Sequence, residues 1–379
     1  MAAAGHRLAL LDWLACAAAG RSQPAARAAA AAADGIEARV AAAGTAGHVL
    51  DFDDTYLPGL AHLSAPVAPA ALVLGAELGA SAGRVLDAYA AGFEAMAQLT
   101  SANHPAMRER GWHPTATCGA VGAAAAAAAL LELDGERTSA ALRLSLLATA
   151  GLRSAFGSDG KSLQVGSAAA AGVRAARLAA EGASARPEVE RGWEAAYGAR
   201  WVDPRPGGDA VAENWIKAYP CCLQTHGAID AALAARERGV GPGGGLEAVV
   251  HPVSLTAAEI EDPRDGLEAK FSIPYLTAYA LMRGAPGVAS FAALDPEVRA
   301  AATAVRVRTD PALGEPEARL VARGEVVARV EAPIGSPGNP MSAERLAAKV
   351  RSLAGDRLDG LLDDPDRPAA ELARAAGLR

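Results

Sequence analysis

The chain has 379 residues, 51% of them hydrophobic and 21% charged, with a formal net charge of -7 and an isoelectric point near 5.6. That length exceeds what one hydrophobic core fills, so two domains, or one large domain with an insertion, are expected, with ample apolar surface for folding. The acidic balance argues against a nucleic-acid partner, which needs a clustered basic face, and four cysteines without C-x-x-C spacing argue against a disulfide framework or thiolate metal centre and suit a reducing cytoplasm.

From Leu8 to Ala43 the apolar spacing predicts helix, broken at Gly20 and Pro24. Asp12 interrupts the leucines and Arg7 is the only fixed cation ahead of them, so this start reads as a buried helix and not as a signal peptide. Next comes Gly47-His48-Val49-Leu50-Asp51-Phe52-Asp53-Asp54-Thr55, with His62 following. Asp53 or Asp54 can fix the tautomer of a histidine, while Asp54 and Thr55 equally suit helix caps.

Helices are predicted over Val67 to Leu78, Gly83 to Leu99, Arg137 to Ala150 and Val165 to Ala180. Between them, Gly111-Trp112-His113-Pro114-Thr115 opens a small-residue helix running through Gly119 to about Leu133. Proline disfavours helix for the residue before it, so His113 is placed on a loop, with Thr115 or Thr117 capping the helix. An imidazole at a helix N-terminus suits acid–base work on a carboxylate, although a turn histidine bonded to a carbonyl fits the same residues. The uncharged run from Gly111 to Leu131 is mostly alanine, too weakly apolar for a membrane span, so a soluble protein is expected.

Phe156 to Gly166 reads as a glycine-punctuated loop in which Lys161 and backbone N–H groups face an anion, or as a plain solvated turn; it is not a nucleotide-binding P-loop. Pro187 to Ala212 reads as a linker or exposed excursion. After it, Trp215 to His226 gathers Lys217, Tyr219, Cys221, Cys222 and His226, the last at the first turn of a helix over Gly227 to Arg236. A strand from Leu246 to Leu255, a helix after Lys270-Phe271-Ser272-Ile273-Pro274-Tyr275 to Met282, strands at Ala304 to Arg308 and Ala318 to Val330 with a Gly324 turn, and a helix from Ser342 to Leu353 complete the chain. Of the 36 basic residues only Lys161, Lys217, Lys270 and Lys349 are lysine, a bias that suits lysine kept where a compact ammonium differs from a guanidinium.

In this order, G-H-V-L-D-F-D-D-T, H-x-S, G-W-H-P-T-A-T-C-G, G-x-x-G-K-S-L-Q-V-G, K-A-Y-P-C-C-x-x-x-H, E-A-K-F-S-I-P-Y and G-S-P-G-N-P-M-S resemble the MmgE/PrpD family, which contains 2-methylcitrate dehydratase, cis-aconitate decarboxylase and iminodisuccinate epimerase. The resemblance covers nearly the whole chain. It implies a mainly α fold, with a large all-helical domain (1–212, completed by 335–379) and a smaller α+β lid domain (213–334). It further implies a cytoplasmic homodimer with no metal or organic cofactor, acting on a small di- or tricarboxylate. His113, Lys161, His62, Tyr275 and Asp53 are the implied catalytic set, and Lys217, His226, Lys161 and Gln164 the substrate-binding set, with the Asp51 to Asp54 segment alongside. His113 or Lys161 suits the base, and Tyr275 or His62 the acid. The expected reaction is 2-methylcitrate dehydratase-like, with epimerisation or decarboxylation as alternatives and a non-catalytic carboxylate-binding or scaffold protein as the competing class. Two positions depart from the pattern: Leu63 replaces the usual proline after His62, and Gln164 stands where many members carry histidine.

Overall fold

Alanine and glycine decide how these helices pack, because side chains this small let backbones meet. The structure, a computed structural model, describes residues 3–378 and is mainly α, as expected. The helices run α1 (Ala4–Gly20), α2 (Pro24–Ala31), α3 (Gly35–His48), α4 (Ser64–Glu77) and α5 (Ala82–Ser101), then Gly119–Leu130, Gly135–Leu146, Gly160–Ala180 and Glu188–Tyr197. A Cβ on Gly166 would lie 2.2 Å from the Ala41 carbonyl oxygen of α3, and one on Gly172 2.5 Å from that of Ala120. These contacts hold the end of α3, the start of Gly160–Ala180 and the approach to Gly119–Leu130 at fixed spacing. Those three places carry His48, Lys161 and His113.

The chain divides into two units. The larger comprises the chain up to Ser154, Asp159–Ile216, and the chain from Ser342. In it the helix Ala343–Ala354, capped by Ser342, packs on α1. Its Lys349 pairs with Asp12 at 2.6 Å, donates to the Phe52 carbonyl at 2.8 Å and lies 3.9 Å from the Phe52 ring centroid. A two-residue strand β1 (Thr55–Tyr56) pairs antiparallel with β2 (Asn214–Trp215).

The smaller unit, 155–158 and 217–341, is built on one sheet in the order β4 (Val305–Thr309), β3 (Leu246–Val250), β5 (Ala318–Ala322), β6 (Glu325–Val330). β3 and β4 are parallel; β5 runs antiparallel to β3 and to β6. The helices His226–Glu237 and Ile273–Arg283 share its apolar core. Arg323 and Gly324 both have positive φ, the geometry of a tight two-residue hairpin, so the Gly324 turn is observed where expected.

Four expectations need correction. The Pro187 to Ala212 stretch is not a bare linker: Glu188–Tyr197 is helical, with Trp193 buried and bonded to Thr149, and Pro187 is its N-cap instead of a breaker. Neither Thr115 nor Thr117 caps by accepting helix N–H groups. Thr115 Oγ1 accepts the His62 N–H at 3.0 Å, and Thr117 donates to the His113 carbonyl, within a short Pro114–Thr117 turn that precedes Gly119–Leu130. Lys161 lies inside a helix and not on the loop, since Gly160–Ala180 begins five residues ahead of Val165. β3 ends at Val250, because Pro252 opens a 3-10 turn.

Candidate active site

His48 ends α3, and the chain then turns sharply, with the Asp51 N–H donating to the His48 carbonyl at 3.0 Å. Asp51 sits at φ +54°, a left-handed conformation that costs a non-glycine residue about 1–3 kcal/mol and that clusters at functional sites. The turn sends Asp51, Asp53 and Asp54 inward, all buried. A buried carboxylate needs a partner, and each has a different one.

Asp51 meets the Lys161 ammonium at 3.0 Å. Asp53 receives His48 Nδ1 at 2.9 Å and lies 3.3 Å from His62 Nδ1. Burial acts to raise the Asp53 pKa, but the two imidazoles outweigh it and leave the group well below the usual carboxylate range. Asp54 accepts from Asn214 Nδ2 at 2.8 Å. Burial pushes its pKa up to about 7, with Ser64 and Asn214 acting downward and Asp53 and Asp12 upward.

His62 reaches this cluster from the turn after β1. Its Nδ1 lies 2.9 Å from the Asp54 carbonyl, which can only accept, so the neutral ring carries its proton on Nδ1. Nε2 then points to Asp51 Oδ1 at 3.7 Å, beside Lys161. The ring of His48 stands edge-on to His62, with centroids 4.5 Å apart. His48 itself is pushed down in pKa, first by burial and then by Lys161, against the upward pull of Asp53.

His113 is the N-cap of the Pro114–Thr117 turn, in extended conformation as proline requires. Its N–H donates to the Gly151 carbonyl, and its Nδ1 lies 2.6 Å from Gln164 Nε2. Burial holds its pKa well below the usual imidazole value, with Lys161, His48, His62 and Arg108 all acting in the same direction. Gln164 is bonded at both ends of its amide to the backbone of Leu152. Leu63, where the pattern has proline, is fully buried at the start of α4.

Among the described residues, His48, Asp53 and His62 are the group whose ligand atoms come close enough to hold a metal. The 2.9 Å between His48 and Asp53 is a hydrogen-bond separation, and with His62 Nδ1 at 3.3 Å the carboxylate lies between two imidazoles.

The remaining expected site residues belong to the smaller unit. Lys217 is fully buried and donates to the Cys221 carbonyl at 3.0 Å. His226 begins its helix, 5.1 Å between ring centroids from Tyr219, whose hydroxyl donates to Asp230. The Tyr275 N–H is capped by Ser272, and the Tyr275 hydroxyl accepts the Asp295 N–H at 3.0 Å. The larger unit thus brings together Asp53, His62, His113, Lys161 and Gln164 with Asp51 of the segment expected alongside, and adds His48, which was not among the expected site residues. A histidine five residues ahead of Asp53, across a helix end, is the signal that could have found it.

Fold and cluster together define a mainly helical protein with a buried cluster of carboxylates, imidazoles and one lysine. The chain belongs to the MmgE/PrpD family: the MmgE/PrpD N-terminal domain matches residues 2–200, and the MmgE/PrpD C-terminal domain residues 219–364. It is 28% identical over 269 residues to cis-aconitate decarboxylase of Homo sapiens, covering 65% of this chain and 56% of that protein. Against cis-aconitate decarboxylase of Mus musculus the identity is 28% over 271 residues, covering 65% and 55%. The chain thus matches little more than half the length of these relatives. Among the described residues no helix is long and apolar enough to cross a membrane.

Proposed function

We propose that this protein is a lyase or isomerase that moves a proton at a carbon next to a carboxylate in a small di- or tricarboxylate. The observation that carries the reading is the Asp53–His62–Asp51–Lys161 arrangement, which sets a base and a fixed cation side by side in a buried place. In such a reaction the barrier is the charge that builds on the substrate carboxylate as the carbon loses its proton, and a preorganised cation lowers it most. Lys161 is assigned that role. His62 Nε2 takes the proton, because the Asp54 carbonyl keeps the ring's own proton on Nδ1 and Asp53 stabilises the imidazolium that forms. His113 is the second proton-transfer group. Lys217 and His226 keep the carboxylate-binding role that the family pattern implies, as a homodimer remains the implied assembly. Tyr275, whose hydroxyl accepts the Asp295 N–H and keeps its own proton, stays among the acids that the family pattern implies.

Loss of a β-hydroxyl from the carbanion-like intermediate, with its protonation to water, makes the reaction a 2-methylcitrate-type dehydration. Loss of carbon dioxide followed by protonation of the same carbon makes it a decarboxylation, the second reading, which the names of the two relatives favour. Protonation from the opposite face gives epimerisation. Proton NMR of the protein in deuterated water with 2-methylcitrate, citrate, cis-aconitate and an iminodisuccinate-type substrate separates them. Deuterium entering next to a carboxylate is expected, accompanied by a new olefin, a lost carboxylate or an inverted centre. A protein that leaves the whole panel unexchanged would refute the reading and favour the non-catalytic class.

A further inference from the structure

We propose that Gln164 sets the tautomer of His113, keeping its proton on Nε2, so that His113 delivers a proton to the substrate carbon or leaving group and does not abstract one. The catalytic half of this inference rests on the acid–base reading above; the tautomer does not.

The Leu152 backbone N–H lies 2.9 Å from Gln164 Oε1, and the Leu152 carbonyl 3.2 Å from Gln164 Nε2. A backbone N–H can only donate and a carbonyl can only accept, so the amide has one admissible orientation. That orientation turns the second N–H of the amide toward His113 Nδ1, at 2.6 Å. A ring nitrogen that accepts a hydrogen bond carries no hydrogen. The proton of neutral His113 is therefore on Nε2.

The same geometry opposes the imidazolium. Protonating Nδ1 would set N–H against N–H at 2.6 Å, and the amide cannot flip without losing both bonds to Leu152. Burial disfavours its charged form as well, and Lys161, His48, His62 and Arg108 act in the same direction. With Nε2 protonated and the Nδ1 lone pair held by the Gln164 N–H, the neutral ring has no open position at which to take up a proton, and the proton it can give is the one on Nε2. Giving it leaves an imidazolate nitrogen at Nε2, which regains a proton from solvent or from a second acid before the next turnover.

The clamp is also tied to the ring it controls. The His113 N–H donates to Gly151 and the Arg153 N–H to Gly111, with Trp112 bridging to Leu152, so one short backbone pairing fixes both His113 and the residue that orients Gln164. A histidine or glutamate at 164 would be free to accept from Nδ1–H and reverse the assignment. This places a specific consequence on the departure from the family pattern.

The test is long-range proton–nitrogen correlation NMR of the full-length protein labelled with 15N-histidine, with His113 assigned through His113→Gln. The wild type is expected to show an unprotonated Nδ1 and a protonated Nε2, with the ring neutral at pH 7 and its titration moved to lower pH. Gln164→Glu, whose carboxylate only accepts when ionised, is expected to move the proton to Nδ1 and to bring the ring's titration to higher pH. With a carboxylate that the wild type turns over, Gln164→Glu should lower kcat by about 10²-fold, the size of one general-acid contribution, with KM changed much less. A wild-type ring protonated on Nδ1, or charged at pH 7, overturns the proposal without reference to any variant. An unchanged kcat in Gln164→Glu overturns the delivery role even where the tautomer is as stated. Absence of turnover by the wild type counts against the acid–base reading, and the tautomer measurement still decides the role of Gln164.

Discussion

Lys161→Met is expected to lower kcat by about 10²–10³-fold, the usual cost of removing one preorganised group that stabilises developing negative charge. The ammonium lies 3.0 Å from Asp51, and both groups are buried, so its electrostatic effect is little screened by water. Removing it also leaves Asp51 without its cation in a left-handed turn, and some stability is lost as well. Rates are therefore compared per folded molecule, with circular dichroism and a melting curve as controls. Lys161→Arg should recover only a part, because a planar guanidinium cannot occupy the place of a compact ammonium. A Lys161→Met protein with kcat within threefold of wild type would remove lysine from the mechanism.

Lys349→Met is expected to cost about 3–5 kcal/mol of folding stability, the penalty for leaving one member of a buried ion pair unmatched. That is a large share of the ~5–15 kcal/mol that keeps a domain folded. The reason is local: Asp12 is fully buried, and the same ammonium serves the Phe52 carbonyl and the Phe52 ring. Urea unfolding measures the loss. The double variant Asp12→Asn, Lys349→Met should recover a part, since no buried charge then lacks its partner. A loss below about 1 kcal/mol in the single variant would show the pair to be incidental.

The two variants test what the scarcity of lysine meant. All four lysines are buried, between 0% and 7% exposed, whereas Arg108 is the one buried arginine among the described residues. Guanidinium groups cover the surface, and the compact ammonium is kept for enclosed places. The composition showed that lysine was special here, but not that Lys349 braces the turn carrying the site while Lys161 enters it.

Helices were legible where their breaks were chemical. Gly20 and Pro24 end α1 and begin α2, and the helix placed from Gly83 to Leu99 is α5, Ala82–Ser101. The Gly324 hairpin was legible because two-residue turns need residues that tolerate positive φ. Glu188–Tyr197 was missed because Pro187 reads as a breaker, although proline is well suited to a helix start. The early start of Gly160–Ala180 was hidden by glycines that favour a loop until tertiary packing pays for a helix.

At the site, residue types carried more information than positions. His62, His113, Lys161 and Asp53 were identified by chemistry and neighbourhood, and the larger unit gathers them. What remained hidden was the pairing. Three aspartates in four residues look interchangeable in sequence, yet one faces a lysine, one two imidazoles and one an asparagine. The choice is made by the left-handed turn at Asp51, which no residue type announces. The Leu152 clamp on Gln164 is a backbone contact, invisible to any reading of side chains.

The central claim is that the cluster in the larger unit receives a small polycarboxylate. Titration of 15N-histidine-labelled protein with propane-1,2,3-tricarboxylate, which lacks the hydroxyl and the double bond needed to react, tests it most directly. The account predicts saturable changes at the ring nitrogens of His62 and His113, none at His251, and loss of the response in Lys161→Met. Saturable binding that leaves both rings unchanged, or no binding at all, would contradict it.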